Sequence, residues 1–525
     1  MRKLAVAAWL LGAPLLVGQN GQFDILIEGA RVIDGSGGPW FNADIGIRGD
    51  TIAAIGPLAG ATAATRIDAR GLVVSPGFID IHSHGRRGIF EVPTAENYLR
   101  EGVTTIVEGP DGSSPVPLAP FLARVAATPI SINFATMIGQ GSIRQQVMGL
   151  VNRKATPEEI EKMKALAAQA MKDGAFGLST GLFYVPGNFT PTEEVIEIAK
   201  VVGRMGGIHI SHMREEASHV LDSVRETIRI GEEGGLPTQI THHKIIGKDN
   251  WGQSVETLKL VEAARARGVD VTIDAYPYTA SSTGIAALFP QWALEGGQKS
   301  TVERLSAADT RARIKAVIVE NIKHDRGGGD PKNVSIASCG FDKTLAGKNL
   351  AEITRARGVE PTFENAADTA IELQQKGGCS AIYHAIGEDD VVRILRSPYT
   401  MIGSDGEIPV FGQAAPHPRS YGTFARVLGV YVREQKVLTL EEGVRRMSGY
   451  PAQRLKIWDR GLLRPGMKAD LVIFDPDKIA DRSTFEKPHQ YSVGVRDVMV
   501  NGKFSLRDEK VTAERPGRVL YGPAK

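Results

Sequence analysis

His82 and His84 are separated by one residue at the end of a predicted strand. The apolar residues Phe78, Ile79 and Ile81 before them are typical of a strand, whose successive side chains point to opposite faces. The two imidazoles therefore project from one face and can bind one metal ion between them. From this pair alone, two neighbouring histidines without a ligand are an equally good interpretation, so the metal hypothesis needs further ligands.

Two further histidines lie where later predicted strands end. His212 ends the segment IHISH, and His242 follows the next predicted strand, in QITHHK. In a β/α barrel, active-site groups collect at the carboxyl ends of the strands, so we expect both side chains to join the pair. His209 and His243 differ from these residues by an odd number of positions, and in a regular strand they point elsewhere. We assign these two histidines a structural role.

Asp405 is the candidate proton carrier. It follows a short apolar segment and stands in the glycine-flanked turn GSDG, residues 403–406. Such an aspartate is more often part of an Asx turn than a base. The upstream histidines favour the catalytic interpretation, because a hydrolytic metal site needs a group that moves protons.

The elements that position these residues alternate between strands and helices. A capping box at Thr156 and Glu159 begins a predicted helix that ends near Gly174, and further strand and helix units follow as far as Ala275. Repeated units of this length favour a parallel sheet closed into a barrel, with a doubly wound open sheet as the alternative. Residues of about 280–378 fit the pattern poorly and are interpreted as an insertion beside the barrel mouth.

The two ends of the chain predict short β-strands. Residues 23–56 alternate between apolar and polar side chains among several glycines, and residues 471–474 and 498–500 show the same pattern, the latter before an Asn-Gly hairpin signal. We therefore predict a small composite β-sandwich domain from residues 19–75 and 460–525. Residues 76–459 form the predicted metal-dependent barrel.

The composition indicates a small-molecule partner. The chain of 525 residues is 42% apolar and carries 62 Lys and Arg against 60 Asp and Glu. This balance gives no overall field that would favour nucleic acid or an anionic membrane.

The first residues predict export. Residues 1–3 are positively charged, residues 4–17 are apolar and Gly18 is small, which is the pattern of a cleaved secretory signal peptide over residues 1–18. A membrane anchor needs about twenty apolar residues, whereas this segment is shorter and contains Pro14. We therefore expect a secreted or periplasmic protein without a membrane span after cleavage, in which Cys339 and Cys379 could form one disulfide.

Several segments, in this order, resemble those of the amidohydrolase superfamily and, within it, the N-acyl-D-amino-acid deacylases (D-aminoacylases). The resemblance covers nearly the whole predicted mature chain. The matching segments are PGFIDIHSHG (76–85), EGVTTIVEG (101–109), GLSTGLFYVPG (177–187), ISHMREE (210–216), ITHHK (240–244), DAYPY (274–278), GSDG (403–406), HPRSYGTF (417–424) and RPGMKADLVIFDP (464–476).

The resemblance implies a distorted (β/α)8 TIM-like barrel, a β domain made from both termini and a site for one or two zinc ions. It also implies that Lys244, Tyr276 and Arg419 bind the substrate carboxylate. The residue types agree in part, because Lys244 shares the predicted face of His242 and the guanidinium of Arg419 suits a carboxylate. A surface or interdomain ion pair is the alternative for Lys244 and Arg419.

One departure from the family pattern concerns the metal ligands. Similar deacylases usually carry a cysteine in a GNCG turn, whereas this chain has GPDG at residues 109–112, so that Asp111 takes the place of the cysteine. A carboxylate can also bridge two metal ions. Glu108 is the alternative bridging ligand, and residues 177–182 contain no lysine that could be carbamylated.

These residues predict metal-assisted hydrolysis of an amide. Asp405 would take the proton of the attacking water and return it to the leaving amine. By resemblance, the substrate is an N-acyl-D-amino acid and the products are a carboxylate and a free D-amino acid. The alternatives are a related amidohydrolase that cleaves a cyclic amide or a dipeptide, and a catalytically inactive barrel scaffold, which the loss of the cysteine would favour.

Overall fold

The structure is a computed structural model that describes residues 22–525. The predicted signal peptide, residues 1–18, lies outside the described residues. Within residues 22–525, no helix combines the length and the apolar character needed to cross a membrane.

The described residues contain strands throughout and α-helices from residue 96 onward. The strands are β1 (Phe23–Val32), β2 (Phe41–Arg48), β3 (Thr51–Gly56), β4 (Ala63–Asp68), β5 (Val73–Pro76), β6 (Phe78–Asp80), β7 (Val103–Glu108), β8 (Asn133–Thr136), β9 (Ile138–Gly139), β10 (Gly177–Gly181), β11 (Ile208–His212), β12 (Thr238–Ile240), β13 (Val271–Ala275), β14 (Ser281–Gly284), β15 (Val334–Cys339), β16 (Cys379–Tyr383), β17 (Thr400–Ile402), β18 (Leu471–Phe474), β19 (Val495–Val500), β20 (Lys503–Arg507) and β21 (Lys510–Val511). The α-helices are α1 (Glu96–Leu99), α2 (Ala119–Ala127), α3 (Gln140–Met148), α4 (Pro157–Asp173), α5 (Thr192–Arg204), α6 (Val220–Gly234), α7 (Ser254–Ala266), α8 (Gly297–Ser306), α9 (Ala308–His324), α10 (Leu350–Ala356), α11 (Phe363–Gln375), α12 (Glu388–Arg396), α13 (Arg419–Arg426), α14 (Leu440–Met447) and α15 (Gly449–Leu455).

Parallel strands close into a barrel in the order β6, β7, β8 with its continuation β9, β10, β11, β12, β13 and β17. The ring closes between β17 and β6, because Ser83 and Gly406 form a parallel bridge. The backbone amide of Asp405 also donates to the carbonyl of His82 at 2.8 Å. The open-sheet alternative is therefore wrong, and one strand of the ring is interrupted between β8 and β9.

A nine-stranded sheet joins the two ends of the described chain. Its strands follow the order β21, β20, β19, β18, β5, β1, β2 and β3, and β4 pairs with β1 off this path. β5 lies between β1 and the C-terminal β18. The sheet branches at β1, where residues 23–28 pair with β4 and residues 31–32 pair with β5. This confirms a terminal β-sheet domain, and its strands form one hydrogen-bonded sheet.

Residues 281–383, which cover most of the expected insertion, form a three-stranded antiparallel sheet and helices with a common apolar cluster. β14 and β15 both pair antiparallel with β16, and helices α8 to α11 bury apolar side chains such as Leu305, Ile318 and Ile371 in one cluster. The last strand of this sheet ends at Tyr383, a few residues beyond the expected end at 378. Cys339 and Cys379 are partners across β15 and β16 and form a disulfide.

Candidate metal centre and active site

Six candidate ligands stand at one rim of the barrel because each follows or ends a parallel strand. His82 and His84 follow β6, Asp111 follows β7, His212 ends β11, His242 follows β12 and Asp405 follows β17. The carboxyl ends of these strands face one side of the barrel, which is where barrel enzymes place their active sites.

Three of these ligands have a left-handed backbone. The φ angles are 55° at Asp111, 35° at His242 and 52° at Asp405. This conformation is uncommon for residues other than glycine and tends to occur at functional sites, because the surrounding fold must hold it in place.

The ligand atoms form two groups that share Asp111. Within each group the atoms lie within 4.8 Å of one another, and the first group consists of His82, His84, Asp111 and Asp405. The second consists of Asp111, His212 and His242. Asp111 Oδ1 is 3.5 Å from His82 Nε2 and 3.4 Å from His242 Nε2, so it lies between the groups.

The donor set fits zinc. Among the described residues, His82 Nε2 and Asp111 Oδ1 are buried, face each other at 3.5 Å and have no hydrogen-bond partner. Buried polar atoms are nearly always paired, so these atoms point to a missing partner. Imidazole nitrogens and carboxylate oxygens are common zinc ligands, and the two groups can hold two ions that share one carboxylate.

Burial and neighbouring charges shift the pKa values of the ligands. Burial lowers the pKa of His82, but the Asp111 and Asp274 carboxylates outweigh it and raise this pKa well above its usual value. Burial raises the pKa of Asp111, but His82 and His242 hold it well below the usual range. Burial also lowers the pKa of His212 to about 3.

Glu108, the alternative bridging ligand, lies outside both groups. Its carboxylate accepts a hydrogen bond from the backbone amide of Arg86 at 2.9 Å, and it forms an ion pair with the Arg86 side chain at 3.4 Å. The structure therefore places Asp111, and not Glu108, between the ligand groups.

Arg419 and Tyr276 lie beside Asp405. Arg419 Nη1 is 2.7 Å from Asp405 Oδ2, and the guanidinium stacks over the Tyr276 ring at 4.9 Å. The Tyr276 hydroxyl is buried and has no hydrogen-bond partner within residues 22–525. Burial raises the pKa of Asp405, but Arg419 and the nearby histidines outweigh it and keep this carboxylate ionised.

Lys244 lies between His242 and Glu216. Its Nζ is 2.6 Å from His242 Nδ1 and donates to Glu216 at 2.6 Å. Lys244 and Arg419 line one cavity of about 800 Å³. The cavity wall also contains metal-ligand candidates, namely His84, Asp111, His212, His242 and Asp405. A molecule in this cavity therefore meets the ligand groups and both cations.

The two histidines given a structural role do point away from the ligand groups. His209 binds the hydroxyls of Thr180 and Thr238 at 2.9 and 2.8 Å, and His243 binds Thr257 at 2.8 Å. Neither belongs to a ligand group in the described part of the chain.

Carboxylates that sequence motifs did not reveal surround the ligands. Asp274 accepts from the backbone amide of His242 at 2.7 Å and is 3.5 Å from His82 Nδ1. Asp80 accepts from the backbone amide of His82 at 3.2 Å, and Glu216 contacts His242. One available signal was parity, because Asp80 lies two positions before His82 and therefore shares its strand face.

Residues 65–505 match the model of a family described as the amidohydrolase family. A D-aminoacylase of Alcaligenes xylosoxydans xylosoxydans is 40% identical over 521 residues, which cover 95% of this chain and 97% of the relative. A zinc and phosphonate inhibitor complex of the N-acyl-D-glutamate deacylase from Bordetella bronchiseptica is similar, with 34% identity, 96% of this chain and 100% of that chain covered, and a TM-score of 0.82. A D-aminoacylase structure described with a binuclear metal centre is 38% identical, with 95% of this chain and 100% of that chain covered and a TM-score of 0.81.

Proposed function

Because the chain belongs to the amidohydrolase family, we propose that it hydrolyses the amide bond of N-acyl-D-amino acids to a carboxylate and a free D-amino acid. One observation carries this proposal. The two ligand groups and two cationic side chains, Lys244 and Arg419, line the same cavity. A substrate that combines an acyl amide with a carboxylate matches this arrangement, because the amide and the charge can be held at the same time.

The ligands of the proposed zinc site are His82, His84, Asp111, His212 and His242, for one or two ions. When bound, zinc polarises the scissile carbonyl and activates water. Asp405 accepts the proton of the attacking water and delivers it to the leaving amine. Its position supports this role, because Oδ1 lies 2.9 Å from His84 Nε2 and so faces the ligand group.

Arg419, Lys244 and Tyr276 bind the α-carboxylate of the substrate in this proposal. Arg419 and Lys244 both stack over the Tyr276 ring, at 4.9 and 5.8 Å, so the three side chains form one cluster. A substrate carboxylate competes with Asp405 for Arg419, because the guanidinium contacts Asp405 at 2.7 Å. Binding the carboxylate therefore frees Asp405 at the moment when a base is needed.

The D configuration rests on the relatives, whose names specify deacylation of D-amino acids. The same relatives favour a linear amide over a cyclic amide or a dipeptide. The presence of both ligand groups opposes the inactive scaffold, because an inactive barrel has no need of unpaired buried imidazoles.

We also infer the domain layout and the location of the protein. The domains are a barrel over residues 76–459 and a β-sandwich from residues 19–75 and 460–525, in which apolar side chains of both ends share one cluster, for example Ile45 and Ile473. Export with removal of residues 1–18 is supported by the Cys339–Cys379 disulfide, since such bonds persist in oxidising compartments. Cell fractionation and the mass of the mature N-terminus test export, and a cytoplasmic protein with residues 1–18 intact contradicts it.

The test of the function is a hydrolysis assay with paired N-acetyl-D and N-acetyl-L amino acids on the zinc-loaded wild-type protein. We expect amine release from the D compounds, one or two zinc ions per chain by elemental analysis, and loss of activity on chelation. Hydantoins and dipeptides serve as the comparison substrates. Faster hydrolysis of these compounds, or of the L series, contradicts the proposal.

A further inference from the structure

Glu216 is a buried carboxylate that the proposed reaction leaves without a role. It lies four residues after His212, beyond the end of β11, and is 1% exposed. Removing a charged carboxylate from water costs free energy unless the group is paired. The contacts of the Glu216 carboxylate therefore indicate its role in the site.

Each carboxylate oxygen of Glu216 faces one imidazole and one cation. Oε1 is 3.3 Å from His242 Nδ1 and accepts from Lys244 Nζ at 2.6 Å. Oε2 is 3.7 Å from His212 Nε2 and accepts from Arg326 at 3.4 Å. One side chain thus contacts both histidines of the second ligand group and two cations that line the cavity.

The contact with His242 is on the outer side of the ring. His242 Nε2 faces Asp111 Oδ1 at 3.4 Å, so Nε2 is the nitrogen directed at the ligand group. An imidazole that binds a cation through one nitrogen carries its proton on the other and donates it to an acceptor, often a carboxylate. Here the outer nitrogen, Nδ1, lies 3.3 Å from Glu216 Oε1 and 2.6 Å from Lys244 Nζ, which Glu216 holds in place, so the Glu216–Lys244 pair fixes the orientation of the His242 ring.

The contact with Lys244 fixes the ammonium group beside the cavity. Lys244 is 4% exposed, and its Nζ also donates to the His242 carbonyl at 2.9 Å. Glu216 supplies the counter-charge that a buried ammonium needs. Without it, the charge of Lys244 is disfavoured at the place where the proposed function requires it.

We propose that Glu216 is a positioning residue that couples the His212 and His242 ligand group to the cation that binds the substrate carboxylate. The coupling to the carboxylate rests on the proposed function. Zinc affinity and substrate affinity then depend on one carboxylate, although Glu216 touches neither the reacting atoms nor the scissile amide.

The test is Glu216→Gln, which keeps the shape of the side chain and removes its charge. Isothermal titration of zinc into the metal-depleted variant is expected to show roughly a 10- to 100-fold weaker site, the usual effect of losing such an outer partner. At saturating zinc, the KM for an N-acetyl-D-amino acid is expected to rise by a larger factor than kcat falls. Glu216→Asp keeps the charge and is expected to restore part of both affinities.

Glu215→Gln is the matched control. The Glu215 carboxylate accepts from the backbone amides of Ala217 and His219, at 2.7 and 2.6 Å, and belongs to neither ligand group in the described residues. We expect wild-type zinc affinity and KM for this variant, and circular dichroism checks the fold of all variants. If Glu216→Gln does not fold, Glu216→Asp carries the test, with an intermediate zinc affinity expected.

The inference is overturned if the folded Glu216→Gln variant binds zinc with wild-type affinity. If only Glu216→Asp folds, wild-type zinc affinity in that variant overturns it. An equal loss in the Glu215 control overturns it as well. The zinc titration contains no substrate, so it decides the role of Glu216 even when the wild-type protein fails to hydrolyse N-acyl-D-amino acids. Such a failure contradicts the proposed function alone.

Discussion

Asp405 is the residue whose replacement separates metal binding from catalysis. Asp405→Asn is expected to retain zinc, because the other ligands of both groups remain. Turnover is expected to fall by about 10²- to 10⁴-fold, the usual contribution of a positioned proton carrier. Elemental analysis and kcat on the same preparation check both parts.

Asp508→Asn is the matched control for this substitution, because Asp508 also has a positive φ, 47°, but is exposed on the terminal sheet. Wild-type turnover is expected for it. Substantial residual activity in Asp405→Asn would remove Asp405 from the proposed role.

Arg419 is expected to act on substrate binding. In Arg419→Lys the compact ammonium replaces a planar fork that suits a carboxylate and stacks on Tyr276. The KM for N-acetyl-D-amino acids is expected to rise by about tenfold or more, with the zinc content unchanged.

Arg426→Lys is the control for Arg419 because it lies on the same helix, α13, in similar surroundings. Arg426 stacks over Tyr278 at 5.1 Å and pairs with Asp481 at 3.1 Å. Equal effects of the two substitutions on KM would indicate a disturbed helix and would contradict a direct contact between Arg419 and the substrate.

Strand periodicity separated the candidate ligand histidines from their neighbours, whereas Asp111 was indicated only by the resemblance to the deacylases. His82 and His84 converge, whereas His209 and His243 bind threonines elsewhere. Glu216 could not be assigned in this way, because it lies in a loop, where spacing does not give direction. Its role depends on contacts with residues from other strands.

At the scale of the elements, β10 is expected to hold the Asp111 turn in place through a close backbone contact. A Cβ atom at Gly181 would lie 2.1 Å from the carbonyl oxygen of Asp111. Gly181→Ala must therefore displace the turn that carries the shared ligand. We expect weaker zinc binding by titration, while the far-ultraviolet circular dichroism of the barrel is retained.

Gly340→Ala is the control for this glycine, because a Cβ atom at Gly340 meets nothing within 4 Å among the described residues. It is expected to bind zinc as the wild type does. Wild-type zinc affinity in Gly181→Ala would show that the turn shifts without consequence for Asp111.

The helix boundaries show how far local signals reach. The capping box at Thr156 and Glu159 forms as predicted and begins α4. Thr190 and Glu193 have the same spacing, which also predicts a capping box, but no capping box forms there. Helix α5 begins after Pro191 without a hydrogen bond from a side-chain cap. The Thr190 hydroxyl instead contacts Gln140 and Pro186, so tertiary contacts override the local pattern.

For the whole molecule, zinc is expected to raise the free energy of unfolding. A ligand that binds only the folded state stabilises it by about 2.7 kcal/mol at a hundredfold excess over its Kd. We expect the melting temperature to fall on chelation and to recover when zinc is returned. The increase in melting temperature caused by zinc is expected to be smaller in His212→Asn, because this substitution removes one ligand. It is expected to be unchanged in the control His489→Asn, because the His489 ring of the wild type binds Tyr421 and no ligand group.

If the melting temperature of the wild type does not change when zinc is removed or returned, a metal site in the folded barrel is contradicted.

The alternation of strands and helices predicted the barrel, but closure depends on the contact between the ends of β6 and β17, more than 300 residues apart. A periodic pattern does not reveal such a contact. The terminal sheet likewise branches at β1 because β4 and β5 pair with different parts of this strand, which composition does not reveal.

The position of β5 between β1 and β18 sets the order in which the protein can be completed. Residues 73–76 leave the ribosome early, whereas their partners, residues 471–474, are among the last to be synthesised. During translation, one edge of this β-strand stays unpaired while the whole barrel sequence emerges. The nascent chain therefore needs protection from aggregation until synthesis is almost finished, because the free edge of β5 is covered only when β18 has been synthesised.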